Sequence, residues 1–196
     1  MIIGVTGKIG TGKSHVAKFL KRKLKFQILD ADKIKFDIIE NSDLHNTIVS
    51  TFGARVLHPN GTIDRNKLMI TTGKDPLHLK ILGEYVNKKI GDEIRSILKS
   101  EDDNFIIEST DPQRQNLTSL FNVSVLVVTN KRIGYQRLLR KYPKDVVDAV
   151  WQYQKDVKNY DYVIDNSGSI RELRNDINQL VHDMLHEQNA KTIPEE

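Results

Sequence analysis

The chain begins with MIIGVTGKIGTGKSHVAKFLKRKL (residues 1–24), in which a glycine-rich turn separates two regular patterns. Residues 2–6 form a short, β-branched apolar run that predicts a buried strand, and residues 14–24 have the apolar spacing of a helix. Between them lies a match to GxxxxGK[ST], formed by Gly7, Gly12, Lys13 and Ser14. A strand before this motif and a helix after it are the context that a phosphate-binding loop requires, so the stretch predicts such a loop.

The residue types of this loop suit a nucleotide phosphate. Glycines allow backbone N–H groups to turn inward without a Cβ in the way, and the N-terminus of the following helix adds partial positive charge. Lys13 can reach the β- and γ-phosphates, and the Ser14 hydroxyl can ligate a Mg²⁺ that arrives with the nucleotide. The expected nucleotide-binding residues are Gly7, Lys8, Ile9, Gly10, Thr11, Gly12, Lys13, Ser14 and His15.

Short strands alternate with helical patterns along the rest of the chain. Four further apolar, β-rich runs predict strands at residues 26–30, 105–108, 123–128 and 162–164. Apolar spacing predicts further helices at residues 43–51, 65–71, 77–98, 133–140, 144–157 and 170–185. This alternation predicts an α/β fold with a parallel sheet covered on both faces, and the long interval between the second and third strands predicts a helical insertion.

Length and composition favour one domain and exclude some functions. With 196 residues the chain can form one core, which we expect over residues 1–187, with residues 188–196 as a flexible tail. No apolar run approaches the ~20 residues that span a bilayer, no signal peptide is evident and cysteine is absent, so we expect a cytoplasmic protein without a membrane partner. The net charge of +4 suits anionic ligands, but the lysines are dispersed, which favours a solvated surface over nucleic-acid binding. We expect a monomer or a weak homo-oligomer.

Two carboxylates follow the second predicted strand in the sequence DADK. Asp30 and Asp32 stand at the carboxyl end of that strand, the edge at which open α/β sheets bind ligands. On an extended segment their side chains would point the same way, so one could act on a substrate hydroxyl as a general base while the other supports it or a metal. The alternative is that Asp32 only caps a helix that begins at Lys33.

Five segments, taken in order along the chain, resemble the landmarks of one enzyme family. They read IIGVTGKIGTGKSHVAKFL, FQILDADKI, FGARVLHPNGTIDRNKL, NVSVLVVTNKRIGYQRLLRK and YDYVIDNSGSIREL. Together they resemble the bacterial dephospho-CoA kinases. The resemblance implies a three-layer P-loop kinase fold with a five-stranded parallel sheet, a core at residues 1–40, 101–131 and 159–187, a helical acceptor-binding insertion at about 41–100 and a helical lid at about 132–158.

The same resemblance implies an activity and a catalytic set. Members transfer the γ-phosphate of ATP to the ribose 3′-hydroxyl of dephospho-CoA, with Mg²⁺. Asp32 would be the base that faces this hydroxyl. Arg137 and Arg140, one helical turn apart, would close over ATP from the lid and act in catalysis together with Lys13, since guanidinium groups are always charged and donate in pairs.

Three further residues receive roles from the resemblance. Arg65, in TIDRNKL, would lie near the sugar or phosphates of the acceptor; the alternative is a surface charge that opens a helix. Asn166, in VIDNSG, would contribute to ATP binding near the adenine; the alternative is an ordinary turn residue. Glu108, at the end of the third strand, is a candidate support for Mg²⁺ beside Ser14.

The chain departs from the family pattern mainly where the acceptor would bind. Glu84 and Tyr85 stand where the family has a His-Pro pair, and IIESTDPQRQ replaces a PLLFE-type run, so polar residues are expected where the family has an apolar surface. In the lid, either Arg140 or Lys141 is the counterpart of the second family arginine. Two other functions therefore stay open: a P-loop kinase for another acceptor such as a nucleoside monophosphate, and a nucleotide-binding module without catalysis.

Overall fold

The sheet has the predicted number and direction of strands. The computed structural model describes residues 1–41, 43–100, 103–154 and 158–191, with side chains to residue 186. The strands are β1 (Ile2–Thr6), β2 (Gln27–Asp30), β3 (Phe105–Ser109), β4 (Val123–Val128) and β5 (Tyr162–Asp165). Every neighbouring pair is parallel, in the order β2-β3-β1-β4-β5. The predicted α/β class and five-stranded parallel sheet are confirmed.

Helices fill the intervals between the strands. They are α1 (Lys13–Leu24), α2 (Ala31–Glu40), α3 (Leu44–Phe52), α4 (Arg65–Gly73), α5 (Pro76–Ser100), α6 (Lys131–Leu139), α7 (Lys144–Tyr153) and α8 (Ile170–Lys191). Helices α3, α4 and α5 occupy the interval in which a helical insertion was expected. Helices α6 and α7 occupy the interval expected to be a lid.

Alternate residues of the strands face two different helical layers, as the pleat of a strand requires. On β3, Ile106 packs in one apolar cluster with Val16 of α1 and Ile177 of α8. Its neighbour Ile107 packs on the opposite face in a second cluster with residues of the insertion such as Ile90. The sheet is therefore the middle of three layers.

The carboxyl ends of the five parallel strands share one edge of the sheet, where ligands bind in folds of this type. The glycine loop follows β1, the middle strand, while Asp30 ends β2 and Asp165 ends β5. Residues that are far apart in the sequence therefore meet around this loop.

One prediction about the DADK segment was wrong. Only Asp30 belongs to β2, because α2 begins at Ala31 and places Asp32 in its first turn. The Asp30 carboxylate caps that helix by accepting hydrogen bonds from the N–H groups of Asp32, at 2.9 Å, and Lys33, at 3.1 Å. Asp32 thus lies neither on an extended segment nor at the cap, and its carboxylate is not used in capping.

The predicted helices agree with the structure to within two residues at each end, except for the ends of two helices. Helix α7 ends at Tyr153, while residues 155–157 of the predicted helix lie outside the described residues. Helix α8 continues to Lys191, beyond the predicted end at residue 185, and residues 192–196 of the expected tail lie outside the described part of the chain. No helix in the described ranges is both long enough and apolar enough to cross a membrane.

Candidate active site

Two glycines of the loop have no room for a side chain. Gly7 and Gly12 adopt positive φ angles of 143° and 93°, which residues with a Cβ rarely adopt. A Cβ on Gly7 would lie 2.2 Å from the carbonyl oxygen of Val127, and a Cβ on Gly12 would lie 2.1 Å from Nδ2 of Asn166. The glycine spacing of the motif is therefore required by backbone geometry and by close packing.

Side chains from the end of β5 and from α6 hold the loop in place. The Asn166 amide donates to the carbonyl oxygen of Thr11 at 2.8 Å. The Arg137 guanidinium donates to the carbonyl oxygens of Gly10, at 3.2 Å, and of Asn166, also at 3.2 Å. From the end of α7, the Gln154 side chain accepts a hydrogen bond from the N–H of Ile9 at 2.8 Å. Side chains from three segments of the chain therefore hold the loop in its conformation.

A substitution of Gly12 tests whether this fixed shape is needed. We expect Gly12→Ala to weaken binding of a fluorescent ATP analogue by about tenfold or more, because the new methyl group must displace Asn166 from Thr11. Gly61→Ala is the matched control, since Gly61 also has a positive φ, of 87°, but nothing lies within 4 Å of the position that its Cβ would take. Both variants carry about 1–2 kcal/mol of left-handed strain. Equal nucleotide affinity in the two variants would contradict the expectation.

Lys13 and Ser14 lie beside carboxylates. Lys13 is buried and donates to the carbonyl oxygen of Lys8 at 3.2 Å. Burial lowers the pKa of Lys13, and the negative charges of Asp32, Glu108 and Asp30 oppose that effect. The ammonium group therefore has three acidic neighbours that favour its charged form.

Glu108 lies at the carboxyl end of β3 and meets the first turn of α1. The Ser14 hydroxyl donates to its Oε1 at 2.6 Å. Burial raises the pKa of Glu108, while the hydrogen bond from Ser14 and the charge of Lys13 act in the opposite direction. A hydroxyl and a carboxylate oxygen are brought together here, and both are ligand types that Mg²⁺ takes.

Asp32 lies between two cavities. The first, which we call the phosphate cavity, has a volume of about 770 Å³ and is lined by Lys13, Ser14 and Glu108, among others. The second, which we call the acceptor cavity, has a volume of about 330 Å³ and lies towards the helical insertion. Asp32 lines both, together with Ile9 and Tyr142. A carboxylate at this junction can act on a group in the acceptor cavity that faces a phosphate in the other.

The acceptor cavity has mostly apolar walls. They come from α4, α5 and α7 and include Leu68, Met69, Leu79, Leu82, Val86 and Val150. The polar segment after β3 contributes Thr110, Asp111 and Gln115 to the same cavity. The segment that replaces the PLLFE-type run is therefore polar, as expected. The cavity still has an apolar surface, because the helices of the insertion and the lid interval supply it.

The residues in place of the family His-Pro pair lie outside this cavity. Glu84 is exposed and lies 3.8 Å from Lys80, and Tyr85 packs against the core of the insertion. Neither lines the acceptor cavity, although their neighbours Gly83 and Val86 do. Their divergence therefore changes the outer side of α5 more than the cavity wall.

Arg65 both opens a helix and lines the acceptor cavity. It is the first residue of α4, which Asp64 caps, and its guanidinium lies 4.3 Å from the centre of the Phe36 ring. Arg65 therefore does begin a helix, and its contact with the acceptor's sugar or phosphates stays a prediction that its place in the cavity wall allows.

Three basic residues of the lid interval line the phosphate cavity. Arg137, Arg140 and Lys141 are all among its lining residues, as are His15 and Asn166. Arg140 and Lys141 can therefore both reach this cavity. The adenine contact of Asn166 stays a prediction, because in this structure its side chain holds the loop.

Most lining residues of the acceptor cavity were not predicted from the sequence, and Lys35, Tyr142 and Gln154 are three of them. Lys35 could have been found, because it follows Asp32 by three residues and lies on the same face of a helix that begins at Ala31. Tyr142 and Gln154 carry no local signal, since only the packing of α6 and α7 brings them to the loop.

Comparison with known proteins agrees with this geometry. Residues 1–172 match the family model described as dephospho-CoA kinase (CoaE). The dephospho-CoA kinase of Fusobacterium nucleatum is 31% identical over 180 residues, which is 88% of this chain and 93% of that protein. That of Aquifex aeolicus is 32% identical over 193 residues, 94% of this chain and 98% of that protein. The solved dephospho-CoA kinase from Campylobacter jejuni superposes with a TM-score of 0.61 at 23% identity, covering 93% of this chain and 96% of its own, and supports the fold.

Proposed function

This chain belongs to the dephospho-CoA kinase family, and on that premise we propose that it transfers the γ-phosphate of ATP to the ribose 3′-hydroxyl of dephospho-CoA. One observation carries the proposal further than the family match: the Asp32 carboxylate lines both the phosphate cavity and the acceptor cavity. A donor and an acceptor held in these two cavities would meet at Asp32.

We propose direct transfer within one complex of enzyme, ATP and acceptor. The acceptor 3′-oxygen forms a bond to the γ-phosphorus, the bond between that phosphorus and the β–γ bridging oxygen breaks, and the hydroxyl proton passes to the Asp32 carboxylate. The chain's share is to hold the two reactants in line and to stabilise the charge of the transferring group.

The phosphate cavity has the groups that this charge requires. Backbone N–H groups of the glycine loop and the Lys13 ammonium would hold the β- and γ-phosphates. Arg140 and Lys141 line the cavity from the lid interval, and Arg137 already lies against the loop through Gly10. Their charges would stabilise the transition state and, with α6 and α7 closed over the cavity, exclude water from it.

Ser14 and Glu108 would hold Mg²⁺ together with the nucleotide phosphates. Their oxygens lie 2.6 Å apart and match the ligand preference of the ion. When bound, Mg²⁺ supplies charge that neutralises the phosphate oxygens.

The proposal includes the compartment, the partner and the oligomeric state that the sequence led us to expect. We propose a cytoplasmic enzyme whose partner is a small-molecule substrate, acting as a monomer or a weak homo-oligomer. The absence of cysteine from the sequence is compatible with a reducing compartment.

The decisive experiment compares acceptors. Purified protein is incubated with ATP, Mg²⁺ and either dephospho-CoA or one of AMP, CMP, GMP and UMP, and the phosphorylated position is identified by NMR. We expect kcat/KM for dephospho-CoA to exceed that for each monophosphate by about 10³-fold, with phosphate on the 3′-oxygen.

The other outcomes separate the remaining functions. No turnover of dephospho-CoA would overturn the proposal, and a preference for one monophosphate would identify a P-loop kinase for that acceptor. Salt-dependent binding of DNA or RNA without phosphate transfer would identify a non-catalytic module.

A further inference from the structure

Two cationic side chains, Lys35 and Arg65, line the acceptor cavity. Lys35 of α2 and Arg65 of α4 both contribute to its wall, and neither forms a hydrogen bond or a salt bridge with any residue that the structure describes. Asp111, an acid in the wall of the same cavity, is by contrast paired with Arg114 at 2.8 Å. The negative charge of Asp32 acts on Lys35, but the two side chains do not form a salt bridge.

The two cations contact the same aromatic ring. The Lys35 ammonium lies 5.5 Å from the centre of the Phe36 ring, and the Arg65 guanidinium lies 4.3 Å from the same point. Ring contacts of this kind attract a cation but leave its N–H donors available for a ligand. The donors of Lys35 and Arg65 therefore meet near Phe36 in one part of the cavity.

An unpaired ammonium in such a cavity is costly. Burial lowers the pKa of Lys35, and the charge of Asp32 only partly offsets that effect. Lys35 is partly buried, and a desolvated charge without an ion-pair partner destabilises a fold, so an apolar residue would serve a structural role better. An anionic ligand that enters the cavity would supply the missing counter-charge.

We propose that Lys35 is a specificity-determining residue that, with Arg65 at the same Phe36 ring, binds the diphosphate of the acceptor. This inference rests on the proposed function and names the part of the substrate that the pair recognises. Residues three apart on a helix have Cβ atoms about 5–6 Å apart, so Lys35 lies one turn of α2 from Asp32. In a ribose 5′-phosphate, the distance between the 3′-hydroxyl and the phosphate is comparable.

In this arrangement, three parts of the acceptor contact three different groups of residues. Its hydroxyl lies at Asp32, its diphosphate lies between Lys35 and Arg65, and its uncharged chain lies against the apolar walls from α4 and α5. An acceptor with a single phosphate would satisfy one cation and leave the apolar wall open. The cavity therefore selects a nucleotide with a diphosphate and an uncharged extension.

The test removes the charge of Lys35 and, in parallel, the charge of the acceptor. Lys35→Met keeps the length of the side chain without its ammonium. We expect KM and the calorimetric Kd for dephospho-CoA to rise about 30-fold while kcat changes little, as for the loss of one charge-assisted contact. With adenosine, which has the 3′-hydroxyl but no phosphate, Lys35→Met should leave the calorimetric Kd and kcat/KM almost unchanged.

Two variants serve as controls. Lys33→Met removes an exposed cation of the same helix that does not line the cavity, and it should leave all constants unchanged. Lys35→Arg keeps a cation and should recover most of the affinity. Unaltered ATP affinity and a melting temperature no lower than that of the wild type in Lys35→Met would show that the fold is intact.

The outcomes separate this inference from the proposed function. Failure of the wild type to phosphorylate dephospho-CoA that it binds would overturn the proposed function and leave the subsite standing. An unchanged Kd for dephospho-CoA in Lys35→Met, or an equal loss of affinity for adenosine, would overturn the role of Lys35.

Discussion

Replacing Asp32 with asparagine is expected to lower kcat about 10³-fold, within the range that a general base contributes, while the Kd for ATP stays nearly constant. Asparagine has the same size but does not accept a proton at neutral pH. The fold should be retained, because Asp30 and not Asp32 caps α2. The effect should therefore appear in the chemical step, which single-turnover measurements isolate from substrate binding and product release.

Asp37→Asn is the matched control for this experiment. Asp37 is an exposed carboxylate on the same helix, lies outside both cavities, and its removal changes the net charge equally. We expect wild-type kinetics from it. A kcat within about tenfold of the wild type in Asp32→Asn would show that the carboxylate only orients the hydroxyl, since removal of a general base costs more than that.

Replacing Lys13 with methionine is expected to damage both binding and chemistry. The ammonium is buried at the phosphate cavity, where Asp30, Asp32 and Glu108 are its acidic neighbours. Its loss removes a contact to the phosphates and leaves these carboxylates to repel the anionic nucleotide. We expect kcat/KM for ATP to fall about 10³-fold, as for the loss of a preorganised charged donor, and the Kd for ATP to rise as well.

Lys18→Met controls for the loss of a positive charge from α1. Lys18 is exposed on that helix and lines neither cavity. Calorimetry with ATP and initial rates with both variants give the comparison. Nucleotide affinity equal to the wild type in Lys13→Met would contradict the assigned role, and a loss confined to kcat would mean that Lys13 contacts the phosphates only in the transition state.

The strands and the glycine loop could be predicted closely because their signals are local. The runs that form β1 and β4 have the predicted bounds, and the other three strands differ by one residue at one end. Short β-branched runs, positive-φ glycines and the GK[ST] ending each depend on neighbours within a few residues. Asp32 became a candidate through a local signal too, its position just after a strand, and the resemblance then favoured it as the base.

The start of α2 could not be predicted so well. The sequence DADK allows either an extended end or a helix cap, and the choice depended on which aspartate meets the free N–H groups. Because α2 begins at Ala31, it contains both Asp32 and Lys35, which lie three residues apart and therefore share a face of the helix. The error at one residue therefore hid a residue of the acceptor cavity.

By itself, the sequence determined the strand pattern, the phosphate loop and the likeness to one kinase family, since these are encoded in contiguous residues. Only the tertiary structure decided that Arg137, 127 residues from Gly10, donates to the loop, and that Asp32 stands between two cavities. It also decided that two cations without an ion-pair partner among the described residues contact Phe36 in the acceptor cavity. Such contacts depend on how α2, α4 and the lid helices pack against the sheet, and packing distances between distant segments leave no periodic trace in a single sequence.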